Sequence, residues 1–178
     1  VRFDDADLRD YHDLWAGPTV SWTLSGKTRL EAEAGLLRRT HEQLGERDFS
    51  GAVGELELIW QALNKTEVTL TLYRDLNSLD DEVADYARVH GLRLQPVWQI
   101  SAKLRLTALA AWEERDYAER PGLADATEDW TRAGLSLGWA FTEYSALTLG
   151  WEHQRRDSDR PSDDYRADTL WLEARLGF

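Results

Sequence analysis

The sequence predicts an all-β protein, a transmembrane antiparallel up-and-down β-barrel with about nine strands visible, belonging to a larger even-numbered barrel. Three observations carry that expectation. Apolar and ionic residues alternate with period two, the connections between alternating segments are short and long by turns, and tryptophans gather near both ends of the segments.

Nine segments read as strands, at about 13–24, 28–40, 50–61, 66–77, 86–99, 103–116, 129–141, 145–156 and 164–178. Residues 1–12 read as a loop or the end of a preceding strand, and the rest as a single barrel domain or the C-terminal part of one. The first segment carries Trp22 just before a turn. In the second, Leu30, Ala32, Ala34 and Leu36 alternate with Arg29, Glu31, Glu33 and Gly35, which gives each face one character. The third ends on Trp60 and carries Glu55 and Glu57. The fourth sets Val68, Leu70 and Leu72 against Glu67, Thr69, Thr71 and Tyr73. The fifth ends near Trp98 and contains Pro96, which has no N–H for a ladder and so predicts a bulge or a local break. The sixth sets Leu104, Leu106, Ala108, Ala110 and Trp112 against Lys103, Arg105, Thr107 and Glu113. The seventh holds Arg132 and ends on Trp139 and Phe141, and the eighth places Glu152 beside Trp151. The ninth sets Leu170, Leu172, Ala174, Leu176 and Phe178 against Trp171, Glu173, Arg175 and Gly177.

The connections at 25–27, 62–65, 100–102 and 142–144 are tight, whereas those at 41–49, 78–85, 117–128 and 157–163 are longer and acidic or rich in Pro and Gly. A soluble sandwich has no reason to shorten every second loop; a barrel threaded through a membrane does. A spanning strand needs about 9–11 residues, and the segments reach that length. The expected membrane-interface aromatics are Trp22, Trp60, Trp98 and Trp139 at one rim, Trp112 and Trp151 at the other, and the terminal Phe178. An indole has an apolar body and a polar N–H, which suits it to both bilayer interfaces.

The stretch "SWTLSGKTRL" at 21–30 resembles the end of a phosphate-binding loop, but the glycine expected five residues before Gly26 is Ser21, and a strand pattern follows in place of a helix. The unit also recurs: Trp22, Trp60 and Trp98 are spaced by 38 residues, as are Lys27, Lys65 and Lys103. A tryptophan, a turn and a lysine repeated in step are architecture.

The 178 residues suffice for one domain with a substantial core, and nine Trp, six Tyr and four Phe argue against disorder despite a charged fraction of 30%. Mean hydropathy is −0.57, and no run is long and apolar enough for a transmembrane helix. The chain opens on Val1 without a signal peptide and has no methionine, as expected of a processed or excised chain. No cysteine is present, which removes disulfides, thiolate metal sites and cysteine nucleophiles. A net charge of −12 argues against a nucleic-acid partner.

The ending "EARLGF", with Phe178 terminal and Leu172, Ala174 and Leu176 before it, resembles the C-terminal signal of bacterial outer-membrane barrels. "EDWTRAGLSLGWAF", "SALTLGWEHQRRDS" and "DDYRADTLWLEARLGF", with Arg155, Arg156, Ser158, Asp164 and Tyr165, are similar to the barrel family of exopolysaccharide operons, the EpsL-like or β-barrel porin type 2 family. The resemblance implies an outer-membrane location, contact with lipid and lipopolysaccharide, recognition of the last strand by the barrel-assembly machinery, and export of a polysaccharide. Family members are longer, which implies that this chain corresponds to a C-terminal half.

With apolar faces towards lipid, the expected lumen-lining residues are Arg29, Glu31, Glu33, Glu55, Glu57, Glu67, Arg93, Lys103, Arg105, Glu113, Arg132, Glu152, Glu173 and Arg175. In a narrow barrel such residues pair and fill the interior, and in a wider one they line an aqueous channel. Polysaccharide export, a general or solute-specific porin, and a closed structural or adhesion barrel all remain open at this level. No cofactor is expected, nor a metal: "DSDRPSDD" at 157–164 is interrupted by Arg160 and Pro161 and lacks the glycine of an EF-hand loop. Catalysis is not expected either. Four histidines are scattered, "HEQLG" at 41–45 lacks a second His, and the one arrangement that can be built sets His90 near Asp80 and Asp81.

Overall fold

A computed structural model describes residues 11–41, 48–78, 84–119, 126–159 and 163–177. Its elements are all strands: β1 (Tyr11–Ala16), β2 (Thr19–Ser25), β3 (Thr28–His41), β4 (Phe49–Leu63), β5 (Thr66–Ser78), β6 (Ala84–Gln99), β7 (Leu104–Glu119), β8 (Ala126–Ala140), β9 (Ala146–Ser158) and β10 (Tyr165–Arg175). They form one antiparallel sheet in sequence order from β3 to β10, with β1 and β2 side by side along β3. The sheet is open among the described residues, where no pairing joins β10 to β1 or β2.

The expected first strand is present as two pieces. Ala16 faces Leu36 and Thr19 faces Glu33, so β1 and β2 share one register on β3 and are one strand interrupted at Gly17 and Pro18. Proline has no N–H to give the ladder. Pro96 produces a related break: Leu94 pairs with Ala110 and Val97 with Thr107, while the ladder to β7 skips Gln95 and Pro96 without a shift of register. Of the two outcomes expected there, the structure shows the break.

Several strands run further on the long-loop side than their apolar alternation reaches. β7 continues to Glu119 through a stretch with no apolar alternation, because β6 and β8 still offer it partners there. β10 stops earlier than expected, at Arg175, where its partner β9 begins at Ala146. Phe178 lies outside the described residues.

The repeated lysine turns have a common hydrogen-bond pattern. The carbonyls of Lys27, Lys65 and Lys103 accept from the backbone N–H of Gln61, Gln99 and Ala140, at 2.7, 2.7 and 2.8 Å. In addition, Lys65 Nζ donates to the Ile100 carbonyl and Lys103 Nζ to the Phe141 carbonyl, each at 3.3 Å. Each lysine turn is thus tied to the next hairpin, which explains why the unit repeats in step.

The two faces reverse the arrangement of a soluble sheet. Trp22, Leu170 and Leu172 on the apolar face are 60%, 77% and 66% exposed, whereas Thr71 and Glu128 on the ionic face are 5% and 4% exposed. Leu37 and Val89 are also buried on the ionic side. An uncovered apolar face this continuous is stable only against hydrocarbon or a partner.

Candidate lumenal surface

Cross-strand register arranges the ionic face in rows. One row runs Thr19, Glu33, Glu55, Tyr73, Gly91, Glu113, Trp130, Arg156 and Tyr165, each residue facing the next across the ladder from β2 to β10. The adjacent row runs Ser21, Glu31, Glu57, Thr71, Arg93, Ala111, Arg132, Gln154 and Ala167. Strand periodicity puts all of them on one side of the sheet.

Charge is sorted along these rows. On β3 and β4, Glu31 directly faces Glu57 and Glu33 faces Glu55, while Arg93 and Arg132 stand in the second row on β6 and β8. Arg29 Nε lies 3.0 Å from Glu31 Oε1 and Arg132 Nε 3.6 Å from Glu152 Oε1. Among the described residues, Glu33, Glu55 and Glu57 have no ion pair. Like charges directly opposite one another destabilise a sheet unless water or counterions screen them. A recess of about 200 Å³ lies beside Glu33 and Glu55, bounded also by Trp15, Tyr73 and Asp75.

The remaining expected lining residues take varied positions. Glu67 and Arg105 are exposed near the short turns, and Arg105 Nε donates to Gln99 Oε1 at 3.0 Å. Glu113 accepts from the Tyr73 hydroxyl at 2.6 Å, and the Arg93 guanidinium lies 5.7 Å from the Tyr73 ring centre. Glu173 and Arg175 sit on β10 at the open edge. Lys103 is outside the strands, in the turn before β7.

The same face also carries aromatics that the sequence assigned to no site. Trp15, Tyr73 and Trp171 lie across Gly35, Gly91 and Gly150 on neighbouring strands; a Cβ at Gly91 would come within 2.6 Å of the Tyr73 ring, and one at Gly35 within 2.6 Å of the Trp15 indole. Each glycine leaves the groove in which the ring rests, and the pairing of a bare backbone position with an aromatic was the available sequence signal.

Nearer the long loops, the ionic face holds a packed cluster. Arg115 and Arg156 lie 4.2 and 5.4 Å from the Trp130 ring centre, and Tyr165 meets the same ring edge-on at 5.6 Å. Glu128 is paired with Arg156 and accepts from Tyr117 Oη at 2.7 Å and Trp130 Nε1 at 3.1 Å. Glu128 stands three positions beyond Thr131, the partner of Trp112, and so outside the stretch between the two tryptophan rows. Burial alone would raise its carboxyl pKa, but hydrogen bonds from Arg156, Tyr117 and Trp130 outweigh that and hold it below the ordinary value.

The expected interface tryptophans lie on the apolar face. Trp60, Trp98 and Trp139 face Val68, Leu106 and Leu147 near the short turns, and Trp22 faces Leu30. At the other end Trp112 and Trp151 donate from Nε1 to Asp129 and Asp168. His90 is held on this same apolar-face side, with Nε2 2.7 Å from Glu114 Oε1; Asp80 and Asp81 lie outside the described residues.

The fold is similar to solved outer-membrane proteins. In-vitro folded OmpT, an outer membrane protein of Vibrio cholerae, matches with a TM-score of 0.57 and 14% identity over 90% of this chain and 53% of that one. Outer-membrane expressed OmpT of Vibrio cholerae matches with a TM-score of 0.52 and 15% identity over 96% of this chain and 56% of that one. This chain therefore spans little more than half the length of those structures. No curated protein matches its sequence. The sequence model of the family described as "Putative beta-barrel porin 2" matches residues 5–178, and the chain belongs to that family of porin-like barrels of the bacterial outer membrane.

Proposed function

We propose that the ionic face lines a hydrated passage through the outer membrane, and that its solute is a hydroxyl-rich polymer, an exopolysaccharide on its way out of the cell. The observation that carries the reading is the direct opposition of Glu31 to Glu57 and of Glu33 to Glu55. Four carboxylates set edge to edge would be costly in a dry, filled interior, where buried charges persist chiefly when paired. Water removes that cost. A hydrated wall of carboxylates and guanidiniums hydrogen-bonds passing hydroxyls weakly and repeatedly, and weak serial contacts favour conduction over capture. Trp15, Tyr73 and Trp171 add aromatic rings, apolar in body and polar at one edge, on the same side. The reading is of a conduit; His90 stands on the other face, beside Glu114.

Conductance in planar bilayers tests the proposal, with polymeric glycan and small sugars added in turn. Polymeric glycan is expected to reduce the current as it enters. Block by small sugars alone would overturn the exporter reading while leaving a pore.

A second reading is favoured by the sorting of charge, with glutamates on β3 and β4 and arginines on β6 and β8. A passage between such walls would act as a porin for small charged solutes. Ion selectivity without any effect of polymer would favour it.

A further inference from the structure

We propose that His90, Glu114 and Asp116 form a divalent transition-metal site on the apolar-face side of the sheet, just beyond the tryptophan row on the long-loop side. The three can each offer a ligand atom, and those atoms all lie within 4.8 Å of one another. His90 faces Glu114 directly across the β6–β7 ladder, and Asp116 follows two positions along β7, so strand periodicity brings all three to one side. Ladder pairing, not a loop, fixes their backbone. A zinc-sized ion bound at about 2.0–2.2 Å holds its donors about 3.3–3.6 Å apart, a spacing that small side-chain rotations reach from this arrangement.

The donor set selects the class of ion. One imidazole and two carboxylates suit Zn²⁺ or its neighbours in the transition series, whereas Ca²⁺ and Mg²⁺ prefer an all-oxygen shell. The His90–Glu114 contact of 2.7 Å shows the imidazole Nε2 already aimed at the carboxylate. On binding, the ion takes the place of the proton between them, and any proton on Nε2 leaves to solvent. Trp112 meets His90 edge-on, with ring centres 6.2 Å apart, and steadies the imidazole from the membrane side. Around the group, Arg74 faces His90 from β5, Arg88 is in register with Asp116, and Asp129 is in register with Glu114 on β8. Three protein ligands leave a coordination position open.

The test is a calorimetric titration of the detergent-folded chain with Zn²⁺ alone, read in parallel by tryptophan emission. The expected result is saturable binding of one ion per chain, undisturbed by excess Ca²⁺, and weakened at least about tenfold in both His90→Ala and Asp116→Asn. His153→Ala, which removes the separate His153–Asp168 pair at 3.0 Å, is expected to bind as the parent does. Absence of saturable binding, binding unchanged in His90→Ala and Asp116→Asn, or binding lost in His153→Ala would each overturn the proposal. Folding of each variant is read from heat-dependent gel mobility, and Glu114→Gln replaces any variant that does not fold, with the same expected loss.

Discussion

Trp112 Nε1 donates to Asp129 Oδ1 at 3.0 Å, and the same relation recurs at Trp151 and Asp168, again 17 residues apart, at 3.2 Å. In both cases the ring lies on the apolar face and its polar tip is held by a carboxylate on the next strand. An indole with its polar tip so held is suited to the level at which hydrocarbon meets headgroups. Asp129→Ala is expected to cost about 1 kcal/mol of stability, the usual worth of one such bond, with a shift in tryptophan emission. Urea unfolding in lipid vesicles checks it, and no change in either would show that the pair is incidental.

Gly91 lies beneath Tyr73, whose hydroxyl reaches Glu113 at 2.6 Å. A methyl group at position 91 would meet the Tyr73 ring and the Trp112 carbonyl, at 2.6 and 2.8 Å. Gly91→Ala is therefore expected to displace the ring, break its bond to Glu113 and destabilise the fold by about 1–3 kcal/mol. Tyr73→Ala in the same background should recover part of that loss, because it removes the ring contact and leaves only the one with the Trp112 carbonyl.

The opposed carboxylates on β3 and β4 predict a preference for cations. Replacing Glu33 and Glu55 together by Gln removes one facing pair. Its expected effects are a lower cation selectivity in bilayer reversal potentials and unchanged or improved stability, because like-charge repulsion is relieved. A clear loss of stability would contradict the hydrated reading of this wall.

Glu128 gives the fold a dependence on acid. Its carboxyl is held below the ordinary value in the folded state, so its contribution is complete above the unfolded value and is lost as pH falls through the folded one. Stability should therefore drop in the range below the usual carboxylate pKa, and Glu128→Gln should flatten that part of the profile. Parallel profiles for the two proteins would argue against the cluster around Trp130.

The strands were legible because lipid on one side and polar surroundings on the other impose period two, as at Leu104, Leu106 and Ala108 against Arg105 and Thr107. The turns were legible because Lys27, Lys65 and Lys103 repeat in step and share one bonding pattern. Strand ends were less so. Beyond Trp112 the alternation fades while pairing persists, and only the neighbouring strands determine how far β7 runs. The ionic face was legible as a list of charges but not as rows, since register between strands is not written in either strand alone. Tyr73, Trp130, Arg156 and Tyr165 were missed for that reason: they join Glu33, Glu55 and Glu113 only through the ladder. His90 was read against Asp80 and Asp81, which lie outside the described residues; its contact with Glu114 arises only through the β6–β7 ladder.

The absence of native cysteine allows single labels to be placed at will, and the adjacent positions Leu106 and Thr107 on β7 point to opposite faces. Spin labels at Leu106→Cys and Thr107→Cys, in the protein folded into lipid vesicles, measure collision with oxygen dissolved in the bilayer and with a water-soluble nickel complex. The expected result is oxygen-dominated relaxation at 106 and nickel-dominated relaxation at 107. The reverse pattern, or shielding from both at 106, would place the apolar face against protein and contradict the account.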